Sequence, residues 1–245
     1  TAMVFQGAFL SSDLLAFKPA GDDPASNPTL EELQAINPDV VGWIYVPGTT
    51  VNFPIVHGTD DEHYLKTDFY GQTSWVSFGS IFLSAANAAD FSDANNIVYG
   101  HHMNDGSMFS PFADFGDADT FNGHRTVYVF TPTANYQLTT FSIVHCAADD
   151  PLAQTAFASE QERQAYVQDK VDRSVVSVAG LPSAADMEHT FAFSTCDNLA
   201  SNGRWVLFAY ESGSTAAASS VVADDSNINP EDVAAVSEAA KETAA

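Results

Sequence analysis

Basic residues are scarce in this sequence. Its 245 residues include 8 Lys and Arg against 32 Asp and Glu, and the formal net charge is −24 at pH 7. This charge repels a phosphate backbone and prevents the counterion release that drives nucleic-acid binding, so nucleic acid is excluded as a partner. The same charge disfavours adsorption to an anionic bilayer, and we expect any membrane attachment to come from an anchor outside these residues.

Cysteine is also scarce, since Cys146 and Cys196 are the only two in the chain. Two cysteines cannot build a disulfide-rich scaffold, which leaves one bridge or two free thiols. CxxC and HExxH spacings are both missing, so no metal site is expected. The apolar runs near the start are shorter than the roughly 20 residues needed to span a bilayer.

Apolar residues, by contrast, are plentiful enough for one buried core, at 45% of the chain with 18 Phe. Apolar, β-branched runs bounded by turn residues predict eight strands. Their ranges are 40–46, 51–56, 79–83, 96–100, 126–131, 136–147, 189–196 and 204–211. Eight strands with helices at the margins favour a mainly β fold, a closed or nearly closed barrel.

Two capping boxes predict helices beside these strands. The pair Thr29 and Glu32 begins a short N-terminal helix, and the pair Ser159 and Glu162 begins a helix at about 160–174, before the penultimate strand. The chain therefore divides into three predicted parts. These are an N-terminal extension over 1–28, a barrel domain over 29–211 and an acidic Ala/Ser-rich tail over 212–245.

Cys196 ends one of the last two predicted strands, and Arg204 begins the other. If these strands pair as a hairpin, the two residues face each other across roughly 5 Å. A positive charge at that distance favours the nucleophilic thiolate, and a guanidinium can stabilise the oxygen of an acyl intermediate. A proton carrier is available in His101 or His102, which follow a predicted strand and a glycine.

These residues also fit other functions. A cysteine in a strand is usually a small core residue, and an arginine after a turn is usually solvated. A bridge between Cys146 and Cys196 would instead give a secreted β-barrel binding or adhesion module. A hydrolytic cysteine protease is the nearest alternative enzyme, although the C-G-x-C-W context of papain-like proteases is missing.

Five segments occur in a fixed order over about residues 29 to 211. They are LEELQAINPDVVGWIYVPGTTVNFPIVHG, DEHYLKTDF, GSIFL, NNIVYGHHMNDGSMF and FSTCDNLASNGRWVLFAY. Together they resemble the class B sortases, cysteine transpeptidases of the outer surface of Gram-positive cells. The resemblance implies a closed eight-stranded sortase-type barrel, and the predicted helix at 160–174 is similar to the one that marks class B.

The resemblance also implies roles for individual residues. Cys196 would be the nucleophile, His101 the acid and base, and Arg204 the oxyanion and substrate-orienting group, with His102 as a structural neighbour. Five further residues match positions near the family's substrate groove: Ser194, Thr195, Asp197, Leu65 and Leu152. The family's usual Leu-x-Thr-Cys reads FSTC here, which changes the packing behind the nucleophile but keeps Thr and Cys.

The activity implied by the resemblance is transpeptidation without a cofactor. The enzyme would cleave the C-terminal sorting signal of a secreted protein after Thr through a thioacyl intermediate. It would then transfer the acyl group to an amine of a cell-wall precursor or of a pilin Lys. The expected location is the extracellular face of the plasma membrane, with the full-length protein anchored there.

Overall fold

The structure, a computed structural model, describes residues 28–73, 79–151, 154–196 and 203–215. The predicted N-terminal extension up to residue 27 and the predicted tail from residue 216 onwards lie outside the described residues. Two predicted groove residues, Leu152 and Asp197, lie outside them as well.

Within those ranges the chain forms eight strands and five helices. The strands are β1 Val40–Tyr45, β2 Asn52–His57, β3 Ile81–Leu83, β4 Asn95–Gly100, β5 Thr126–Phe130, β6 Asn135–Ala147, β7 Thr190–Cys196 and β8 Gly203–Thr215. The helices are α1 Pro28–Ile36, α2 His63–Lys66, α3 Pro111–Asp114, α4 Ala118–Gly123 and α5 Glu160–Asp172. A helix of the length and apolarity that a bilayer crossing requires does not occur among the described residues.

The strands close into a barrel in the order β1-β2-β3-β4-β7-β8-β6-β5, and β5 pairs back with β1. The pairs β2–β3 and β4–β7 are parallel, whereas the remaining pairs are antiparallel. The predicted mainly β, closed eight-stranded fold is therefore confirmed. Strand β8 runs to Thr215, beyond the predicted end at 211, because it stays paired with β6 as far as Asn135.

Alternate residues of the last two strands pack into two different cores. Phe191, Phe193 and Leu207 belong to the core inside the barrel, to which strands from all sides contribute. Ala192 and Phe208 face outward and belong to a second core under α5. Each fully buried Phe stabilises the fold by about 1.5–3 kcal/mol, so the register of β7 and β8 is strongly determined.

Helix α5 covers the outward side of β7 and β8. It begins where the capping box predicts, because the Ser159 side chain accepts a hydrogen bond from the Glu162 N–H. It ends at Asp172, two residues earlier than predicted. The reason is Ser174, whose hydroxyl accepts from the Ile143 N–H at 3.1 Å and ties the chain to β6. The predicted helix before β7 is confirmed.

Candidate active site

Strands β7 and β8 place Cys196 directly opposite Arg204. This is the register that the hairpin argument predicts, and it sets the Cβ positions of the two residues about 4.5–5.5 Å apart. The side chain of Cys196 and the loop over 197–202 lie outside the described residues. Within the described backbone, the two positions stand at facing ends of adjacent strands.

His101 reaches the same end of the barrel through β4. Strand β4 runs parallel to β7, and the last residue pair between them joins Gly100 to Thr195. His101 and Cys196 each follow that pair directly, so their backbone positions lie close together where β4 ends beside β7. The positions of His101, Cys196 and Arg204 are therefore brought together at one end of the barrel.

Gly100 is required by close packing before His101. A Cβ at this position would lie 2.5 Å from the Ile81 Cδ1 atom and 2.7 Å from the Phe109 ring. Those distances are far below van der Waals contact, and both neighbours are held in the barrel core. The glycine in YGHH thus lets β4 pass close to the core before the chain turns outward at the histidine.

The His101 ring is held by a main-chain carbonyl. Its Nε2 atom lies 2.6 Å from the Leu65 carbonyl oxygen. A carbonyl oxygen can only accept, so Nε2 carries the proton and donates it. In the neutral ring, Nδ1 is then the nitrogen with a free lone pair, which suits it for accepting a proton from a substrate.

Arg204 is half-buried and presents a donor without a partner. Within the described part of the chain, its Nε atom is buried and makes no hydrogen bond. Its Cζ atom lies 5.9 Å from the centroid of the Tyr99 ring, which holds the cation by a cation–π contact. An unsatisfied buried donor costs free energy, and an oxygen that accepts from it recovers that cost. The group is therefore suited to an oxyanion.

Tyr99 is a site residue that the sequence analysis missed. Burial raises the pKa of its hydroxyl, Asp61 raises it further, and Arg204 opposes both. Tyr99 stands two residues before His101 in β4, and residues two apart in a strand share one face. This two-residue spacing in a predicted strand was the sequence signal that could have identified Tyr99 as a site residue.

The predicted groove residues do not all share one face. Ser194 pairs with Tyr99 and Val206, and its Oγ atom is buried without a hydrogen-bond partner among the described residues. Ser194 and position 196 share the outward register of β7. Thr195 belongs to the opposite, inward register and is only 1% exposed. Leu65 contacts the site through its main-chain carbonyl, which accepts the hydrogen bond from His101.

His102 follows His101 just after the end of β4. It forms an isolated antiparallel bridge with Met108, and its Nδ1 atom is buried without a hydrogen-bond partner in the described ranges. Among the described residues, no group of three His, Cys, Asp or Glu is arranged to hold a metal ion.

Cys146 occupies the other side of Arg204. Strand β6 pairs Cys146 with Arg204, so the two cysteine positions flank the same residue of β8. Cys146 is a free cysteine. Two ladder spacings separate the cysteine positions by roughly 9–10 Å, beyond the ~7 Å limit between Cα atoms for a disulfide. The alternative of a Cys146–Cys196 bridge is therefore wrong.

Comparisons with known proteins agree with this arrangement. No protein-family model matches the chain. Sortase B of Listeria monocytogenes is 31% identical over 168 residues, which cover 69% of this chain and 67% of that protein. Sortase B of Staphylococcus aureus is 31% identical over 150 residues, and these cover 61% of each protein. The aligned part thus spans about two thirds of the length of these relatives.

Solved structures show the same likeness in three dimensions. A sortase B–substrate complex of Staphylococcus aureus superposes with a TM-score of 0.69 at 28% identity, covering 76% of this chain and 86% of that one. Sortase B of Bacillus anthracis in complex with AAEK1 superposes with a TM-score of 0.76 at 27% identity, covering 86% of this chain and 98% of that one. The superposition therefore includes nearly all of the Bacillus chain.

Proposed function

Because this chain belongs to the class B sortases, a family of cysteine transpeptidases, we propose that it cleaves the C-terminal sorting signal of secreted proteins after Thr and transfers the acyl group to an amine. The observation that carries this proposal is the pairing of Cys196 with Arg204 beside the strand that leads to His101. In this proposal the consecutive strands β7 and β8 supply the nucleophile and the oxyanion donor, and the distant strand β4 leads to the proton carrier.

The first half of the reaction makes a thioester. The Cys196 thiolate attacks the carbonyl carbon of the signal's Thr, and Arg204 stabilises the negative charge on the oxygen. The C–N bond then breaks, and protonated His101 gives its proton to the leaving amine. The acyl group remains on the sulfur, His101 is left neutral, and the C-terminal fragment departs.

The second half reverses these roles. An acceptor amine attacks the thioester carbonyl while neutral His101 takes the amine's proton. The C–S bond breaks, the new amide leaves, and Cys196 returns to the thiolate beside a protonated His101. Every bond and proton is accounted for by the chain and its two peptide substrates.

A peptide signal and a cationic acceptor suit this protein. The solved complex of the Staphylococcus aureus relative holds a substrate, which supports the proposal that this chain also binds a sorting-signal substrate. The net charge of −24 attracts ammonium groups before they lose a proton. We take the acceptor to be an amine of a cell-wall precursor or a pilin Lys. Ser194, Thr195, Asp197, Leu65 and Leu152 stay predicted groove residues.

The proposed location is the extracellular face of the plasma membrane, with the full-length protein anchored there. Both substrates of the proposed reaction are found on that side of the membrane. Digestion of intact cells by an added protease tests this. Loss of the protein from intact cells is expected, whereas protection until the cells are lysed contradicts the proposed location.

The reaction itself is tested by the product that forms. Purified protein is incubated with a set of signal peptides, with and without an added amine such as triglycine, and the products are weighed by mass spectrometry. An amide that appears only with the amine is expected. An acid product in both reactions identifies a hydrolytic cysteine protease instead.

A further inference from the structure

We infer that Leu65 is a positioning residue whose main-chain carbonyl holds His101 with Nδ1 as the nitrogen that carries protons. This inference rests on the proposed acid and base role of His101. In this inference the peptide carbonyl of Leu65 orients the His101 ring, whereas the resemblance places Leu65 only near the substrate groove. The contact joins residues 36 positions apart in the sequence.

The carbonyl is available because helix α2 ends beside it. The last carbonyls of a helix have no donor within the helix and need partners from elsewhere. In α2, the Tyr64 carbonyl accepts from the Ser80 N–H at 2.9 Å. The Leu65 carbonyl accepts from His101 at 2.6 Å. The histidine thus supplies a donor to a carbonyl at the end of the helix.

The position of this carbonyl is set by Gly79. A Cβ added at Gly79 would lie 2.8 Å from the Leu65 carbonyl oxygen and 2.5 Å from the Tyr64 carbonyl oxygen. Both distances lie below any real Cβ contact, so the backbone of α2 rests directly on the glycine. Gly79 also has φ +61, in the left-handed region that glycine adopts without strain.

Side chains of α2 and of the residues just before it fix this segment to the barrel. The Asp61 carboxylate accepts from the Ser84 hydroxyl at 3.0 Å and from the Ala85 N–H at 2.6 Å, just after β3. The buried Tyr64 donates its hydroxyl to the Asp39 carboxylate at 2.7 Å. Burial, with the Asp39 carboxylate, raises the pKa of Tyr64 to about 12, so this donor persists throughout the physiological range.

A fixed acceptor on Nε2 suits a group that must act as acid and base in turn. Nε2 keeps its proton in both charge states of the ring, and only the Nδ1 proton is exchanged with the substrate. The ring need not flip between the two halves of the reaction. A ring that lost the Leu65 contact would sample other orientations, and misplacement by about 1 Å can cost on the order of 100-fold in rate.

The test replaces Gly79 with alanine, which pushes the Leu65 carbonyl away without altering any residue of the proposed catalytic set. The matched control is Gly71→Ala. Gly71 also has a left-handed φ, +79, but a Cβ there meets nothing within 4 Å. Both variants therefore place alanine at a left-handed φ, and only Gly79→Ala displaces the carbonyl.

Two measurements are made on each protein. Transfer kinetics with a signal peptide and triglycine should show kcat reduced about 10- to 100-fold in Gly79→Ala, with most of the loss in kcat rather than KM, and within about twofold of wild type in Gly71→Ala. The ¹⁵N-histidine NMR spectrum should show His101 protonated on Nε2, with a proton signal protected from exchange in wild type and in Gly71→Ala and lost in Gly79→Ala.

The spectrum of the wild-type protein keeps the inference testable even if Gly79→Ala does not fold. A neutral His101 that carries its proton on Nδ1 overturns the inference outright, as does a folded Gly79→Ala variant with unchanged kcat. The proposed function fails separately, if His101→Ala transfers peptide as fast as the wild type.

Discussion

Arg204 has a cysteine position on each side, and only one of them is placed to be a nucleophile. Cys196 in β7 and Cys146 in β6 pair with the same arginine in the same ladder. They therefore share a neighbouring positive charge. The difference between them has to come from what lies beyond each strand.

The next strands in the barrel supply that difference. Beyond β7 lies β4, which ends at Gly100 and leads directly to His101. Beyond β6 lies β5, which pairs only with residues 135–139 and does not extend to Cys146. His101 thus adjoins the β7 side, where Cys196 lies.

The surroundings of Cys146 also suppress its thiolate. Burial raises the pKa of the Cys146 thiol, the Asp150 carboxylate raises it further, and Arg173 and Arg204 oppose the shift without cancelling it. The thiol packs against the core under α5. An adjacent guanidinium therefore does not by itself make a cysteine reactive.

The largest expected effect is on transfer by the two cysteine variants. Cys196→Ala should lower the rate of amide formation at least about 1000-fold, because the thioacyl intermediate cannot form. Cys146→Ala should stay within about twofold of the wild type. Product formation by mass spectrometry gives both rates, and full activity in Cys196→Ala would sink the proposed function.

Arg204 should matter far more than the other arginine near Cys146. Arg204→Gln should reduce kcat about 100- to 1000-fold, the usual cost of removing an oxyanion donor. Arg204→Lys keeps the charge but loses the planar donors, so it should restore only part of the rate. The control is Arg173→Gln, which breaks an ion pair with Asp150 and should change kcat less than about threefold. Equal losses in Arg204→Gln and Arg173→Gln would contradict the assigned role.

A smaller effect is expected in the reactivity of Cys146. In a Cys196→Ala background, alkylation of Cys146 at pH 8 should be slower than that of free cysteine, because its raised pKa leaves less thiolate, and the rate should climb as the pH rises. Asp150→Asn removes a carboxylate that raises this pKa, so the thiolate fraction and the alkylation rate should increase severalfold. A slower reaction in Asp150→Asn would show that access rather than charge governs this thiol.

The smallest effect concerns two buried serines, one in each strand beside β8. The Ser142 hydroxyl in β6 donates to the Lys170 carbonyl, whereas the Ser194 hydroxyl in β7 has no partner among the described residues. Ser142→Ala should lower the free energy of unfolding by about 1–2 kcal/mol, and Ser194→Ala should leave it unchanged or raise it by up to about 1 kcal/mol. Urea denaturation measures both. A larger loss of stability in Ser194→Ala than in Ser142→Ala would mean that the Ser194 hydroxyl does have a hydrogen-bond partner.

Much of the fold follows from local pattern. Alternating apolar runs and turn residues determine where the eight strands lie, and the capping box at Ser159 determines where α5 begins. Cys196 and Arg204 were also within reach of local reasoning, because a short loop between two strands brings their facing ends together. His101 was singled out from the histidines by resemblance and its preceding glycine.

Other features of the site were decided only by the tertiary structure. The sequence does not say that β4 lies beside β7, since parallel strands are joined by long crossovers whose path no local pattern specifies. The Leu65 carbonyl carries no side-chain signal, yet it reaches His101 because Gly79 lets α2 rest on the barrel. The reactivity of a thiol depends on burial and on charges from several strands, so the sequence by itself left Cys146 and Cys196 open to a bridge. The closed barrel separates them with Arg204 in between and places His101 beside one of them alone.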